Sequence, residues 1–307
     1  MKIIFAGTPD FACEALAALV AADFVPELVL TQPDRPAGRG KKLAASPVKQ
    51  FAERQGIEVW QPVTLKDAAI VADLAGRGAD LMIVAAYGLL LPQAVLDLPR
   101  LGAVNVHASL LPRWHGASPI QAAILAGDTE SGISLMQMDA GLDSGPVIAA
   151  ELLPIGEQEN AGSLHDRLAK LGGSLLVRTL PDILAGRVSP AAQDPSHVTH
   201  AGKFNTKDAL LDWMQPADLN ARKVRAFNPH PGAWFELDGE RIKCWAAGAI
   251  EAEGHIPGTV VFAGPDGIEV ACKQGILRMT ELQRPGRRHV TAAEFASQLN
   301  LAGKRLH

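Results

Sequence analysis

The sequence predicts an α/β chain, with a doubly wound, mostly parallel sheet followed by a second, smaller β-barrel domain of the oligonucleotide-binding (OB-like) type. Three observations predict it. Short aliphatic runs alternate with helically spaced apolar residues from Lys2 to about Leu153, the order of a parallel sheet covered by helices on both faces. Residues 188–205 then lose all periodicity and mix Ser189, Pro190, Asp194, Pro195, Ser196 and Gly202, as an interdomain linker does. Five short strand-like runs with Gly or Asp turns come after it, which suits a small closed or partly open barrel. The expected division is 1–188, a linker at 189–204, and 205–307. At 307 residues the chain can bury two cores.

The strand runs of the first domain are Lys2–Ala6, Val25–Leu30, Glu58–Trp60, Leu81–Ala85, Ala103–His107, Ile133–Met138 and Val147–Leu153. Between them, Phe11, Ala15, Leu16 and Leu19 keep helical spacing, as do Val71, Leu74 and Ala75. A longer helix is predicted over Ser163–Leu184, with Leu164, Leu168, Leu171, Leu175 and Leu176 as its apolar stripe and Gly186 as its stop. In the second domain a helix near Pro216–Ala226 precedes strands at Trp234–Leu237, Arg241–Ala246, Thr259–Phe262, Ile268–Ala271 and Leu277–Leu282. No internal repeat or low-complexity segment is visible.

Hydrophobic content is 48% and charged content 20%, and no apolar run approaches the roughly 20 residues of a membrane-spanning helix. Met1 leads straight into a strand pattern without the features of a signal peptide, so a cytoplasmic chain with no membrane partner is expected. The three cysteines, Cys13, Cys244 and Cys272, are scattered, with no metal-ligand spacing and no framework of bridges. A formal charge of −4 lacks the basic surplus usual in nucleic-acid binders. Two short basic clusters nevertheless stand out: Arg35, Arg39, Lys41 and Lys42, and Arg284, Arg287 and Arg288. A solvated loop and a solvated turn would explain them equally well.

In an open α/β sheet, ligands bind outside the carboxyl ends of the strands, and Asn105 and His107 fall at one such end. Two residues apart in a strand, their side chains share a face. The turn Met138–Pro146, with Gly141 and Gly145, is expected to deliver Asp143 at the same edge. An amide, an imidazole and a carboxylate suit attack by an amine on an acyl carbon. The amide can donate to the developing oxyanion, the imidazole can carry a proton at neutral pH, and the carboxylate can orient the imidazole and favour its charged form. Taken singly, each residue also fits a structural role, since His at a strand end and Asp in a Gly-containing turn are common without catalysis. No nucleophilic Ser or Cys sits in a recognisable elbow, and His107, His115 and His165 lack metal-site spacing.

The run Asn105–Ile120, which reads NVHASLLPRWHGASPI, resembles the signature of folate-dependent formyltransferases. So do Ala126-Gly127-Asp128 and Met138–Gly145, which reads MDAGLDSG. Within that family, Phe5–Phe11, Thr31–Leu43, Ala86–Leu89 and Arg225–Pro229 resemble the members that formylate methionyl-tRNA. The resemblance spans nearly the whole chain. It implies a formyltransferase-like variant of the dinucleotide-binding fold, 10-formyltetrahydrofolate as co-substrate, initiator methionyl-tRNA as acceptor, and no metal. It also assigns Asn105, His107 and Asp143 as the catalytic trio. Ser109, Leu110, Leu111 and Pro112 match the family's folate-contacting run, and Tyr87, Gly88 and Leu89 would wall the pterin pocket. Arg35, Arg39, Lys41 and Lys42 match an insertion that meets the tRNA acceptor end, while Arg287 and Arg288 would serve the tRNA-binding second domain. The expected form is a monomer. Ala108 stands where the family commonly has Gly, and His115 where it commonly has Arg, which leaves the path of the loop after His107 open. Gly7-Thr8-Pro9-Asp10-Phe11 lacks the second and third glycines of a dinucleotide fingerprint, which argues against a nicotinamide cofactor. Two other readings compete: the same folate chemistry on a non-tRNA acceptor or on water, and a non-catalytic RNA-binding module.

Overall fold

The computed structural model describes residues 1–37, 42–297 and 299–306, and the chain divides into two compact units. The first comprises Met1–Pro119, Glu130–Pro154 and His165–Ala201; the second comprises Ile120–Thr129, Ile155–Leu164 and Gly202–His307. Strands of the first unit are β1 (Ile3–Gly7), β2 (Leu28–Leu30), β3 (Arg35–Ala37), β4 (Lys42–Ala44), β5 (Glu58–Trp60), β6 (Leu81–Ala85), β7 (Ala103–His107), β8 (His115–Gly116), β9 (Glu130–Gln137), β10 (Val147–Pro154) and β11 (His200–Ala201). Its first four helices are α1 (Asp10–Ala21), α2 (Pro47–Arg54), α3 (Ala68–Arg77) and α4 (Gln93–Leu96). After α5 (Pro119–Ala126) comes α6 (Ala161–Leu184), whose part from His165 onward belongs to this unit.

Seven strands form the main sheet in the order β10-β9-β7-β6-β1-β2-β5. β1, β2, β5, β6 and β7 run parallel, whereas β9 is antiparallel to β7 and β10 to β9. Every residue of β1, β6 and β7 is buried, which is why β1 and β6 read as unbroken apolar runs rather than alternating ones, and β7 breaks that pattern only at Asn105 and His107. Ile4, Leu28, Leu30, Met82 and Val84 build the core of one face. Against β7, α6 brings Gly172, where a Cβ would stand 3.0 Å from Val106 Cγ1. A larger residue there would push the helix off the strand that carries Asn105 and His107. Side chains start α2 and α3: Ser46 Oγ accepts from the Lys49 N–H and Asp67 Oδ1 from the Ala69 N–H, satisfying amides that a first helical turn leaves open.

The stretch expected as a linker is not a free connector over most of its length. Ala191 and Val147 exchange two backbone hydrogen bonds of 2.8 Å, and β11 pairs in parallel with β8. Side-chain periodicity reports burial of a face and is blind to a backbone pairing with loops, so 189–201 read as irregular while belonging to the first unit. The division also differs in drawing two earlier segments into the second unit. Leu125 packs with Ala209, Phe227 and Trp234, and Arg225 Nη1 donates to the Glu159 carbonyl at 3.2 Å.

The second unit contains α7 (Ala217–Ala226), β12 (Ala233–Leu237), β13 (Glu240–Ile250), β14 (Val260–Gly264), β15 (Gly267–Ala271), β16 (Ile276–Gln283), β17 (Val290–Thr291) and α8 (Ala292–Ala296). The five expected strands are all present. They form an antiparallel sheet in the order β12-β13-β16-β15-β14, with β17 added to β16. β12 and β14 are edges that do not pair with each other, so the partly open alternative holds and the closed barrel does not. Register shifts in β13 around Ala246 bend the sheet as bulges do, and Trp213, Val224, Phe235, Ile242 and Leu277 fill its core. Among the described residues no helix is long and apolar enough to cross a membrane.

Candidate active site

β7 carries the amide and the imidazole on one face, because Asn105 and His107 are alternate residues of a strand. Asn105 is buried to 9% exposure, and its side-chain amide has no hydrogen-bond partner among the described residues. Its amide atoms are not among those sealed from solvent without a partner, so the group is open to a ligand at the end of β7. His107, at 6% exposure, places Nε2 3.1 Å from the Trp114 carbonyl oxygen. A carbonyl can only accept, which puts the proton of the neutral ring on Nε2 and leaves the Nδ1 lone pair open. Asp143 Oδ1 stands 3.8 Å from that Nδ1, and Asp143 Oδ2 accepts from the Gly116 N–H at 2.7 Å.

The turn that bears Asp143 does not spring from the edge that the sequence suggested. In the β7–β9 register Gln137 faces Val104 and Ser134 faces His107, so β9 ends three residues short of His107, roughly 10 Å away along the strand. The turn comes back toward the imidazole. Asp139 Oδ1 ties it locally by accepting from Gly141 N–H and Ser144 Oγ, and Asp143 itself adopts φ 52°, a left-handed conformation uncommon outside glycine but tolerated by Asp.

Burial holds the His107 pKa below its ordinary value; the nearby Asp143 carboxylate and the Trp114 carbonyl act to raise it, and His115 acts to lower it. Burial wins. The neutral imidazole, competent as a base, is therefore the ground state at neutral pH.

Residues that the sequence reading missed hold this geometry. Gln193 Nε2 donates to the carbonyls of Asp143 and Gly145, 2.7 Å each, and its Oε1 accepts from His115 Nε2 at 2.9 Å. Thr199 Oγ1 accepts from the Trp114 N–H at 2.9 Å. Buried Ser134 bridges the loop after β7, its hydroxyl donating to the Ser109 carbonyl and accepting from the Leu111 N–H. Only Ser134 had a sequence signal, as a polar residue inside an apolar strand. Ala108 keeps a negative φ, so alanine meets no backbone penalty there.

The remaining expected residues are distributed as follows. Ser109 is buried and its hydroxyl donates to the Arg113 carbonyl at 2.6 Å, so that group is already engaged. A Cβ at Gly132 would come 2.5 Å from Leu110 Cδ2, which places Leu110 against β9. Leu111 and Pro112 are half-buried. Tyr87 is a core residue at 2% exposure. Its hydroxyl lacks a partner and burial pushes its pKa up to about 12. Gly88, at φ 80°, is exposed, and Leu89 leans on the same core. Arg35 is exposed and donates to Gln32. Arg39 and Lys41 lie outside the described residues, as does the side chain of Lys42. Arg287 is exposed, and Arg288 pairs with Glu294.

An amide, a neutral imidazole and a carboxylate on a doubly wound sheet suit the chemistry of an acyl-transfer class of protein. The formyl transferase family model matches residues 1–180, and the model of the formyl transferase C-terminal domain matches 203–300. The methionyl-tRNA formyltransferase of Janthinobacterium sp. is 52% identical, covering 99% of each chain. That of Thiobacillus denitrificans is 54% identical over 100% of this chain and 99% of its own. The chain belongs to the formyl transferase family, in its methionyl-tRNA formyltransferase branch. The fold is shared by an N-formyltransferase of Helicobacter canadensis solved with folinic acid and dTDP-3-aminofucose, at TM-score 0.65 and 15% identity, covering 91% of this chain and 99% of that one.

Proposed function

We propose that the chain transfers the formyl group of 10-formyltetrahydrofolate to the α-amino group of methionyl-initiator-tRNA, giving formylmethionyl-tRNA for translation initiation and releasing tetrahydrofolate. The observation that carries this reading is the juxtaposition of His107 Nδ1 and Asp143 at 3.8 Å beside the partnerless Asn105 amide, in a chain of this family.

The amine lone pair attacks the formyl carbon, and the carbonyl electrons move onto oxygen. Asn105 donates to that oxyanion, a contact whose loss typically costs roughly 2.7–4 kcal/mol of barrier. His107 takes a proton from the attacking nitrogen on Nδ1. Asp143 stabilises the imidazolium so formed, and the proton passes to N10 of the folate as the carbon–N10 bond breaks. Proton transfer of this kind contributes about 10²–10⁴-fold. The Ser109–Pro112 loop and the Tyr87–Leu89 segment would flank the folate, through backbone groups at Ser109 and Tyr87, whose side chains face inward. Arg35, Arg39, Lys41, Lys42, Arg287 and Arg288 would meet tRNA phosphates.

Purified protein supplied with 10-formyltetrahydrofolate is expected to formylate methionyl-tRNA and to leave glycinamide ribonucleotide and amino-sugar nucleotides unchanged. Preference for either small acceptor would overturn the assignment of substrate.

A further inference from the structure

The segment Ala191–Ala201 crosses the back of the catalytic pair and touches the support of each member. At its start, Ala191 exchanges two backbone hydrogen bonds with Val147, the first residue after the Asp143 turn to enter a strand. Two residues on, the Gln193 amide bridges the carbonyls of Asp143 and Gly145 at 2.7 Å. The amide has one orientation that satisfies all its neighbours: the nitrogen gives both hydrogens to carbonyls, and the oxygen takes the His115 Nε2 proton. His115 is buried at 4% exposure and its ring lies edge-on to His200 at 5.7 Å, which fixes the far end of the bridge on the same segment. Thr199 then takes the Trp114 N–H on its hydroxyl and the His115 N–H on its carbonyl at 2.8 Å.

These contacts matter because both partners of His107 are held in backbone conformations that do not hold themselves. Trp114, whose carbonyl fixes Nε2, sits at φ 64°, and Asp143, which faces Nδ1, sits at φ 52°. Non-glycine residues in that region persist only when the surroundings over-determine them. We propose that Ala191–Ala201 is a strap that positions the catalytic pair, with Gln193 holding the Asp143 turn and Thr199 holding the Trp114 carbonyl. Both are positioning residues, since neither reaches His107. The role rests on the formyl-transfer reading of Asn105, His107 and Asp143.

The test is a double-mutant cycle in single-turnover formyl transfer with enzyme in excess, so that slow rates stay measurable. Gln193→Leu keeps the bulk and removes the bridge. It is expected to lower the transfer rate by about tenfold or more in the wild-type background and by less than about twofold in Asp143→Asn, the non-additivity of residues that act through one another. Substrate KM values should stay within about twofold. Thr199→Val should lower the rate while Thr199→Ser, which keeps the hydroxyl, restores it. The pH profile supplies a readout that a merely weakened fold would not move. His107 is faced by Asp143 and His115, and loosening Asp143 removes the group that raises its pKa. The acid limb of the His107 titration, followed by NMR on the enzyme alone, should then move to lower pH in Gln193→Leu. An undiminished rate in Gln193→Leu, or an equal loss in both backgrounds, overturns the strap. Near-normal transfer by Asp143→Asn alone instead removes the reading of the site beneath it.

Discussion

His107 and Trp114 set the tautomer of the imidazole: Nε2 donates to the Trp114 carbonyl at 3.1 Å, so the Nδ1 lone pair is open and it faces Asp143. The imidazole is anchored on one side and open on the other. Everything proposed about the chemistry follows from that polarity together with the unpaired Asn105 amide.

The first expectation concerns pH. Burial lowers the His107 pKa, so its folded value lies below the ordinary 6.5 and the neutral base persists at neutral pH. In an NMR titration of the enzyme alone, where the substrate amine does not contribute, the His107 imidazole should be neutral around pH 7 and show its acid limb as the pH drops through the depressed folded pKa, where Nδ1 becomes protonated. Replacing Asp143 by Asn removes the charge that raises the pKa, and the limb should move further toward acid. A limb above pH 6.5 in the wild type would contradict burial as the dominant influence.

In the proposed mechanism Asn105→Ala removes the donor to the oxyanion. Turnover should fall by about 10²–10³-fold, as for other oxyanion donors. Steady-state kinetics with both substrates varied should show the loss in kcat, with little change in either KM. A change confined to KM would make Asn105 a ground-state binding residue.

Gly132 tests the loop that follows β7. A Cβ there would lie 2.3 Å from the Glu151 carbonyl oxygen and 2.5 Å from Leu110 Cδ2. The first of these is backbone and cannot swing aside. Gly132→Ala should destabilise the first unit by about 1–3 kcal/mol, the usual cost of overpacking, visible as a lower thermal midpoint. An unchanged midpoint would mean that β9 and β10 part easily.

The basic loop is tested by salt. Arg39→Ala and Lys42→Ala should weaken tRNA binding and each flatten the dependence of log Kd on log salt by about one unit, if each residue neutralises one phosphate. Binding isotherms across a salt series measure this directly. An unchanged slope would place the tRNA elsewhere.

Much of this molecule was legible in the sequence, for physical reasons. Glu58–Trp60, Leu81–Ala85 and Ala103–His107 were read with the bounds that the structure has, Leu81–Ala85 because a fully buried parallel strand reads as an unbroken aliphatic run, the other two from shorter apolar signals at Val59, Val104 and Val106. Asn105 and His107 share a face because strand geometry leaves them no choice. The path by which Asp143 reaches His107 was not legible, since it depends on a β7–β9 register set by long-range pairing. Gln193 and Thr199 were hidden for a related reason. Their partners are backbone groups about 50 and 85 positions away, and such bonds impose no pattern on the local sequence. The pairing of β8 with β11 escaped notice likewise, each strand being two residues long.

The most direct test is the rate of single-turnover formyl transfer from 10-formyltetrahydrofolate to methionyl-tRNA by the wild type and by Asp143→Asn, with both substrates saturating. With the carboxylate gone, the imidazolium has lost its stabiliser, and transfer should slow by about 10²-fold or more while tRNA affinity stays within about twofold. Transfer at a near-wild-type rate would contradict the proposed centre.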